Sequence, residues 1–377
     1  RWKRDQTEGE LREVAEEIGD TDWPNDTGFQ RPMSVGLHYP WLRLGVGVVV
    51  VVVVGLLAAS QGSVSMPPLS VCKVLLSKLP VVEPSLDLPA TWETIIWQLR
   101  LPRIVLAGIV GAALATSGAA YQGLFRNPLA DPYLIGVASG AGLGATVVLV
   151  TGVPLLAGGL SLLPIAAFLG GSVAVTLAYV IARHSDGTAL STLVLAGVAI
   201  GSLASAITSL LLIRGDQDLR PVLSWLLGGF ISAQWTHSLV VIVYLAPAAS
   251  VLIAYGRILN LMQLDEEHAV QLGVNVEWTK LILIASATLC TSAAVSFSGL
   301  IGFVGLVAPH IVRLVWGGDY RMLLPMSALL GAGFLILADL LARTIVSPGE
   351  LPVGVVTAFC GAPFFLYLLR RRRAEAL

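Results

Sequence analysis

The sequence predicts an all-α polytopic membrane protein of about ten transmembrane helices, an expectation carried by its composition and by its apolar runs. Hydrophobic residues fill 55% of 377 positions and charged residues 12%, giving a mean hydropathy of +0.81. Apolar runs of roughly twenty residues, long enough to cross about 30 Å of hydrocarbon, recur along the chain. No soluble core needs that much apolar sequence.

The first element is an acidic extension over residues 1–40, expected to be cytoplasmic and separate from the transmembrane domain over 41–377. It holds five Lys/Arg and nine Asp/Glu, a net of −4. Thr7 and Glu10 fit a capping box, and Leu11, Val14, Ala15 and Ile18 recur at helical spacing before Gly19. A short amphipathic helix is expected there, with no function assigned. A chain that begins with Arg is expected to be a fragment or a processed product.

Read against their Pro, Gly and charge punctuation, the apolar runs place spans near 42–59, 95–118, 133–151, 161–182 and 190–212. The second half repeats the count near 238–256, 279–297, 304–317, 322–342 and 352–369. Ten spans put both termini on one side. With that side inside, Lys/Arg outside the extension divide eleven inside to seven outside, and the excess rests on Arg370 to Arg373. Pro102 is expected at the start of the second span, holding Arg100 and Arg103 in its first turn. That span then runs through a stretch of small residues from Gly108 to Ala120. Small residues let helix backbones approach closely in lipid, and a packing role and a path-lining role stay equally open for each glycine.

Between the sixth and seventh spans lies a charged island from Leu264 to Trp278. Ionised groups at this density belong outside the hydrocarbon, where they keep their water. Leu264, Ala269 and Leu272 can form an apolar stripe, Asp265, Glu266 and Glu267 sit in a first turn, and Gly273 ends a short helix. A docking helix and an ordinary solvated loop are the two readings of that pattern.

Titratable groups within the spans are sparse. Asp339 has Arg343 four residues later on the same helical face, so a local ion pair is favoured over a proton relay. An ion-coupled secondary transporter therefore stands as the weaker alternative, and no filter-like repeat or charged ring suggests a channel. ATP is the next energy source. The four lysines are Lys3, Lys73, Lys78 and Lys280, and none follows a glycine, so the phosphate cradle GxxxxGK[ST] does not occur. Any ATPase must be a separate polypeptide, and the chain itself is expected to be no enzyme and to bind no cofactor. Cys72, Cys290 and Cys360 suggest neither a disulfide framework nor a metal site, and His310 by itself makes a poor metal ligand set.

Five ordered blocks carry a resemblance. They are Leu99 to Arg103, Gln122 to Pro132, Asp265 to Val276, Gly302 to Arg313 and Gly349 to Ala358. Together they resemble the FecCD family of ABC importer permeases, from about residue 40 to the end. The resemblance implies a type II importer in the cell (inner) membrane, with both termini cytoplasmic. Two such permeases pair around a central path, two ATPase subunits carrying ATP and Mg dock below, and an extracytoplasmic substrate-binding protein delivers cargo from above. The implied cargo is a ferric siderophore, slightly favoured, or cobalamin or haem.

Residue by residue, the resemblance gives Arg100, Arg103 and Arg343 to binding-protein docking. It gives the loop over about 258–279 to ATPase coupling, with Leu264, Asp265, Glu266, Glu267, Ala269, Leu272 and Gly273 at its centre. It assigns the translocation path to spans 95–118 and 279–297, with Gly111, Ser117, Gly118, Thr291, Ser292 and Ser296 as lining. His310 belongs to the fourth block whatever the cargo, and the acidic extension departs from the family's short N-terminus.

Overall fold

The computed structural model describes residues 41–375 except 63, 79–88, 153–155, 158–159, 185–186, 215–218 and 347–348, so the acidic extension and its expected helix lie outside the described residues. A helix occupies each of the ten expected spans. They are α1 (Trp41–Ser60), α4 (Leu101–Leu124), α5 (Val137–Thr151), α6 (Leu162–Ala182), α7 (Leu190–Arg214), α9 (Trp235–Ala254), α12 (Val276–Ser298), α13 (Val304–Trp316), α14 (Tyr320–Thr344) and α15 (Val353–Glu375). Among the described residues seven helices are long and apolar enough to cross a membrane, while α5, α13 and α15 supply shorter apolar pieces.

Between these lie helices too short to stand out as apolar runs: α2 (Pro68–Ser77), α3 (Ala90–Thr94), α8 (Arg220–Leu227), α10 (Gly256–Met262) and α11 (Glu266–Gln271). The strand content of the described residues is two ladders of two residues per strand, of which β3 (Arg183–His184) and β4 (Gly187–Thr188) join α6 to α7. The second span begins earlier than expected. A π turn over Ile95–Arg100 joins α3 to α4, and the Leu101 N–H reaches back to Ile96 O. Pro102 thus lies within a longer helix, and the widened turn precedes a residue that has no N–H to give.

Helix α4 runs through the centre of the bundle against α14, α12, α13 and α9, while α5, α6 and α7 form a second packed group joined to α12. Entry to α13 is non-helical. In a membrane such backbone needs internal partners, and the Tyr133 hydroxyl supplies both, donating to Ile301 O at 2.9 Å and accepting from Ile301 N at 3.2 Å. Gly229 N–H donates to Ser298 O at 2.8 Å. Phe303 then turns into α13 at φ 70°, a left-handed conformation rare for an aromatic residue.

The tightest contacts explain the run of small residues. A Cβ on Gly118 would lie 1.9 Å from Gly305 O, and one on Gly111 would lie 2.2 Å from Gly331 O. At both places backbone meets backbone, so no side chain can give way. Replacing Gly118 by Ala must therefore part α4 from α13, at a cost of roughly 1–3 kcal/mol for overpacking. Thermal unfolding in detergent should show Gly118→Ala below the wild type. Gly45→Ala, where a Cβ meets nothing within 4 Å, should leave the midpoint unchanged.

Candidate functional site

At the end of α4 the chain turns through a Schellman arrangement, with Asn127 N–H bonded to Gln122 O at 3.1 Å and Arg126 N–H to Gly123 O at 3.2 Å. Glycine usually holds the left-handed position of this motif, yet here it is Arg126 at φ 48°. Its side chain explains the exception. Arg126 Nε donates to Met262 O at 2.7 Å, and Nη1 lies 3.4 Å from Asp265 Oδ1. The end of α4 thereby holds the start of the charged island.

The island is a helix, as its acidic start and terminal glycine predict. Val274 N–H bonds Ala269 O at 3.0 Å and Gly273 N–H bonds Val270 O at 2.9 Å, with Gly273 at φ 84°. Glu266 and Glu267 occupy the first turn of α11, where the free N–H groups favour negative charge. The expected stripe needs one correction. Ala269 is fully buried, whereas Leu264, Val270, Leu272 and Trp278 are between 52% and 61% exposed. One turn and a half of helix cannot put Ala269 and Val270 on the same side, so Val270 takes the outward place expected for Ala269.

Two further groups fix this end. Asn260 on α10 donates to Asp319 Oδ1 at 2.6 Å and accepts from Tyr320 N–H at 2.9 Å, and Gln263 donates to Gly123 O at 2.9 Å. Buried Lys280 bonds Glu266, Glu277 and the Thr188 carbonyl. Neither Arg126 nor Lys280 carries a role in the sequence reading, because Met262 and Thr188, which they reach, lie 136 and 92 residues away in the chain.

The opposite end of α4 holds the three expected docking arginines, and their surroundings revise that expectation. All three are turned inward. Asp339 is 1% exposed, and Arg103 meets it through Nε at 2.9 Å and Nη2 at 2.8 Å. Arg343 Nε is 3.1 Å from the other carboxylate oxygen. The local pair foreseen between Asp339 and Arg343 is present, and Arg103 makes it a triad. Glu350 closes the cluster by accepting from Arg103 Nη1 at 2.8 Å.

Arg100 instead donates to Ala59 O at 2.6 Å and to Val64 O, and Arg343 Nη2 donates to Ala58 O at 3.1 Å. Ala58 and Ala59 belong to the last turn of α1, whose carbonyls lack intrahelical partners and carry the negative end of the helix dipole. The guanidinia therefore bind α1, α4 and α14 to one another and do not stand as open forks.

The six residues expected to line a path are likewise inside the protomer. Gly111 and Gly118 sit in the backbone contacts described above. Ser117, Thr291, Ser292 and Ser296 are at most 2% exposed, with Ser117 Oγ donating to Ala287 O and Thr291 Oγ1 to its own helix. In this structure they occupy seams between helices, where their small size serves packing. His310 is buried with its ring edge-on to Phe364 at 6.0 Å. A cavity of about 280 Å³ opens beside Arg103 and Glu350, lined also by Trp225, Phe297 and Val353.

The profile of the FecCD transport family matches residues 47–371. The chain belongs to the FecCD transport family. Among relatives of this family, the cobalamin import system permease protein of Halobacterium salinarum is 46% identical over 289 residues, covering 77% of each chain. The hemin transport system permease protein of Yersinia pestis is 41% identical over 344 residues, covering 90% of this chain and 98% of its own. Among solved structures, a metal-chelate type ABC transporter in an inward-facing conformation superposes with a TM-score of 0.76 at 32% identity, covering 88% of this chain and all of that one. FecCD members are translocation subunits of type II ABC importers, and this chain is a multi-pass membrane permease of that kind.

The triad fixes what a substitution does at the arginine end. Asp339→Ala leaves two buried guanidinia facing each other, and breaking a buried ion pair this way costs about 3–5 kcal/mol. Thermal unfolding of the detergent-solubilised chain should show a large drop in midpoint. An unchanged midpoint would contradict the structural role given to this carboxylate.

Proposed function

We propose that the chain is the translocation subunit of an importer that carries a bulky metal chelate inward, driven by separate ATPase subunits and supplied by an extracytoplasmic binding protein. The observation that carries this reading is the α10–α11 segment. Exposed apolar side chains at Leu264, Val270 and Leu272 lie on and beside a short helix held by polar ties to α4, α12 and α14. That is the form of a surface built to receive a push, in a chain with no phosphate cradle of its own. ATP and Mg belong to the partner subunits in this reading, and this segment faces the cytoplasm with both termini.

The path lies between two copies of the chain. The cavity beside Arg103, about 280 Å³, falls below the roughly 300–1,000 Å³ that drug-sized ligands need, and a macrocyclic chelate is larger still. Helix α7 presents Ser202, Ser205 and Ser209 on an exposed face with Ala199 and Ala206. Ser202 and Ser209 hydroxyls donate to carbonyls four residues back, and with exposed Leu195, Val198 and Leu203 beside them this face is apolar and uncharged. Two such faces give a smooth wall for cargo selected elsewhere. At the arginine end, a carboxylate of the binding protein takes the place of Glu350 on Arg103, since Glu350 is the exposed member of that cluster.

Cobalamin and haem, the cargoes named for two relatives, stand beside ferric siderophore as candidates. The test is uptake into proteoliposomes holding this chain and its ATPase, with binding protein loaded in turn with cobalamin, haem and a ferric siderophore. ATP-dependent uptake of one chelate, insensitive to ionophores, is expected. Uptake driven by an ion gradient without ATP would overturn the reading.

A further inference from the structure

Lys280 is 4% exposed, a depth at which an ammonium group persists only when its protons are taken up by acceptors. It has three donors, and the structure supplies three acceptors. Glu266 Oε2 lies at 2.9 Å, Thr188 O at 3.1 Å and Glu277 Oε1 at 3.2 Å. The three belong to different elements. Glu266 opens α11, Glu277 opens α12, and Thr188 ends β4, two residues before α7 begins. Glu277 closes the loop, because its other oxygen accepts from Thr188 N–H at 2.9 Å and from Thr188 Oγ1 at 3.0 Å.

We infer that Lys280 is a positioning residue that ties the coupling helix α11 to the start of α7, so that displacement of α11 is passed to α7 directly. This rests on the reading of α11 as the surface the ATPase moves and of α7 as a wall of the path. Helix α11 has six residues and buries one of them, Ala269, so apolar packing alone does not fix it and polar ties decide where it goes. The Arg126, Gln263 and Asn260 ties hold the same segment to α4 and α14, whose packing forms the centre of the bundle. Lys280 ties it toward α7, whose outer face is largely uncovered. A push on α11 is therefore passed to the centre of the bundle and, through Lys280, to the packed group of α5, α6 and α7.

A buried ammonium needs all three protons taken up, and the acceptor recruited for the third is the Thr188 carbonyl of β4, so the same side chain that neutralises Glu266 and Glu277 also links β4 to α11.

The test uses the assembled complex in proteoliposomes, with cyanocobalamin or haemin as the probe, whichever the wild type takes up. Lys280→Met keeps an unbranched side chain one atom shorter and removes all three bonds. Uptake per ATP hydrolysed should fall by about fivefold or more, the lower end of measured coupling effects, while hydrolysis continues. Lys280→Arg should recover part of the loss. Glu277→Ala removes the second link to Thr188 from a side chain that is half exposed, and should also lower uptake per ATP in a chain that folds as the parent does. It decides the matter if Lys280→Met fails to assemble.

A second readout needs no cargo. With Cys72 and Cys360 replaced by Ser, spin labels at Gln271 and Leu195 report the distance between α11 and α7, and the narrow distribution of the wild type should broaden in Lys280→Met. Uptake per ATP equal to wild type in both variants, or an unchanged distance distribution, would overturn the inference. A wild-type complex that takes up neither probe would instead count against cobalamin and haem as cargo and leave the distance measurement to judge the tie.

Discussion

The structure turns on the backbone contact of α4 with α13 and α14 at Gly118 and Gly111. In hydrocarbon there is no hydrophobic drive between helices, so association depends on close fit and on satisfying every polar group internally. Two glycine contacts let α4 sit deep enough to meet α12, α13 and α14 together. That depth puts Arg100 and Arg103 at one end of the helix within reach of α1 and α14. It puts Arg126 at the other end under the coupling segment.

The two ends are built on different physics. The arginine end is a desolvated charge cluster, two guanidinia on one buried carboxylate with α1 carbonyls taking further donors. Such a cluster fixes geometry more than it adds stability. Substitution there reads out folding first and partner docking second. The other end is held by hydrogen bonds and ion pairs from Arg126, Asn260, Gln263 and Lys280 around a helix with little core of its own. That is the arrangement expected where an element must be located accurately and still move.

Much of this was legible in the sequence, for reasons that differ by element. Hydropathy finds each span because about 30 Å of hydrocarbon sets its length, and α2 and α8 escape because they never need that length. The island reads as a helix because Glu266, Glu267 and Gly273 mark its ends. Its facing does not, since a six-residue helix offers too little periodicity to choose between Ala269 and Val270. The pairing of Asp339 with Arg343 is local and visible. The addition of Arg103 joins residues 236 apart in sequence, and the Lys280–Thr188 contact spans 92, so no local pattern signals either. Small residues announce close packing, but only the fold tells that Gly111, Ser117, Thr291 and Ser292 face seams and that the serine face of α7 is the open one. Arg126 carries a signal of its own: an arginine just past a helix end and before Asn-Pro, where glycine would be the ordinary choice.

On the proposed function, energy enters this permease at the exposed apolar side chains around α11 and leaves as movement of the helices tied to it. A photoreactive side chain placed at Val270, in a complex assembled from this chain and its ATPase, tests that claim most directly. Crosslinking of the ATPase from Val270, and none from Leu76 on α2 at the other end of the bundle, is the result predicted. ATPase captured from Leu76 and not from Val270 would place the drive at the wrong end and contradict the claim.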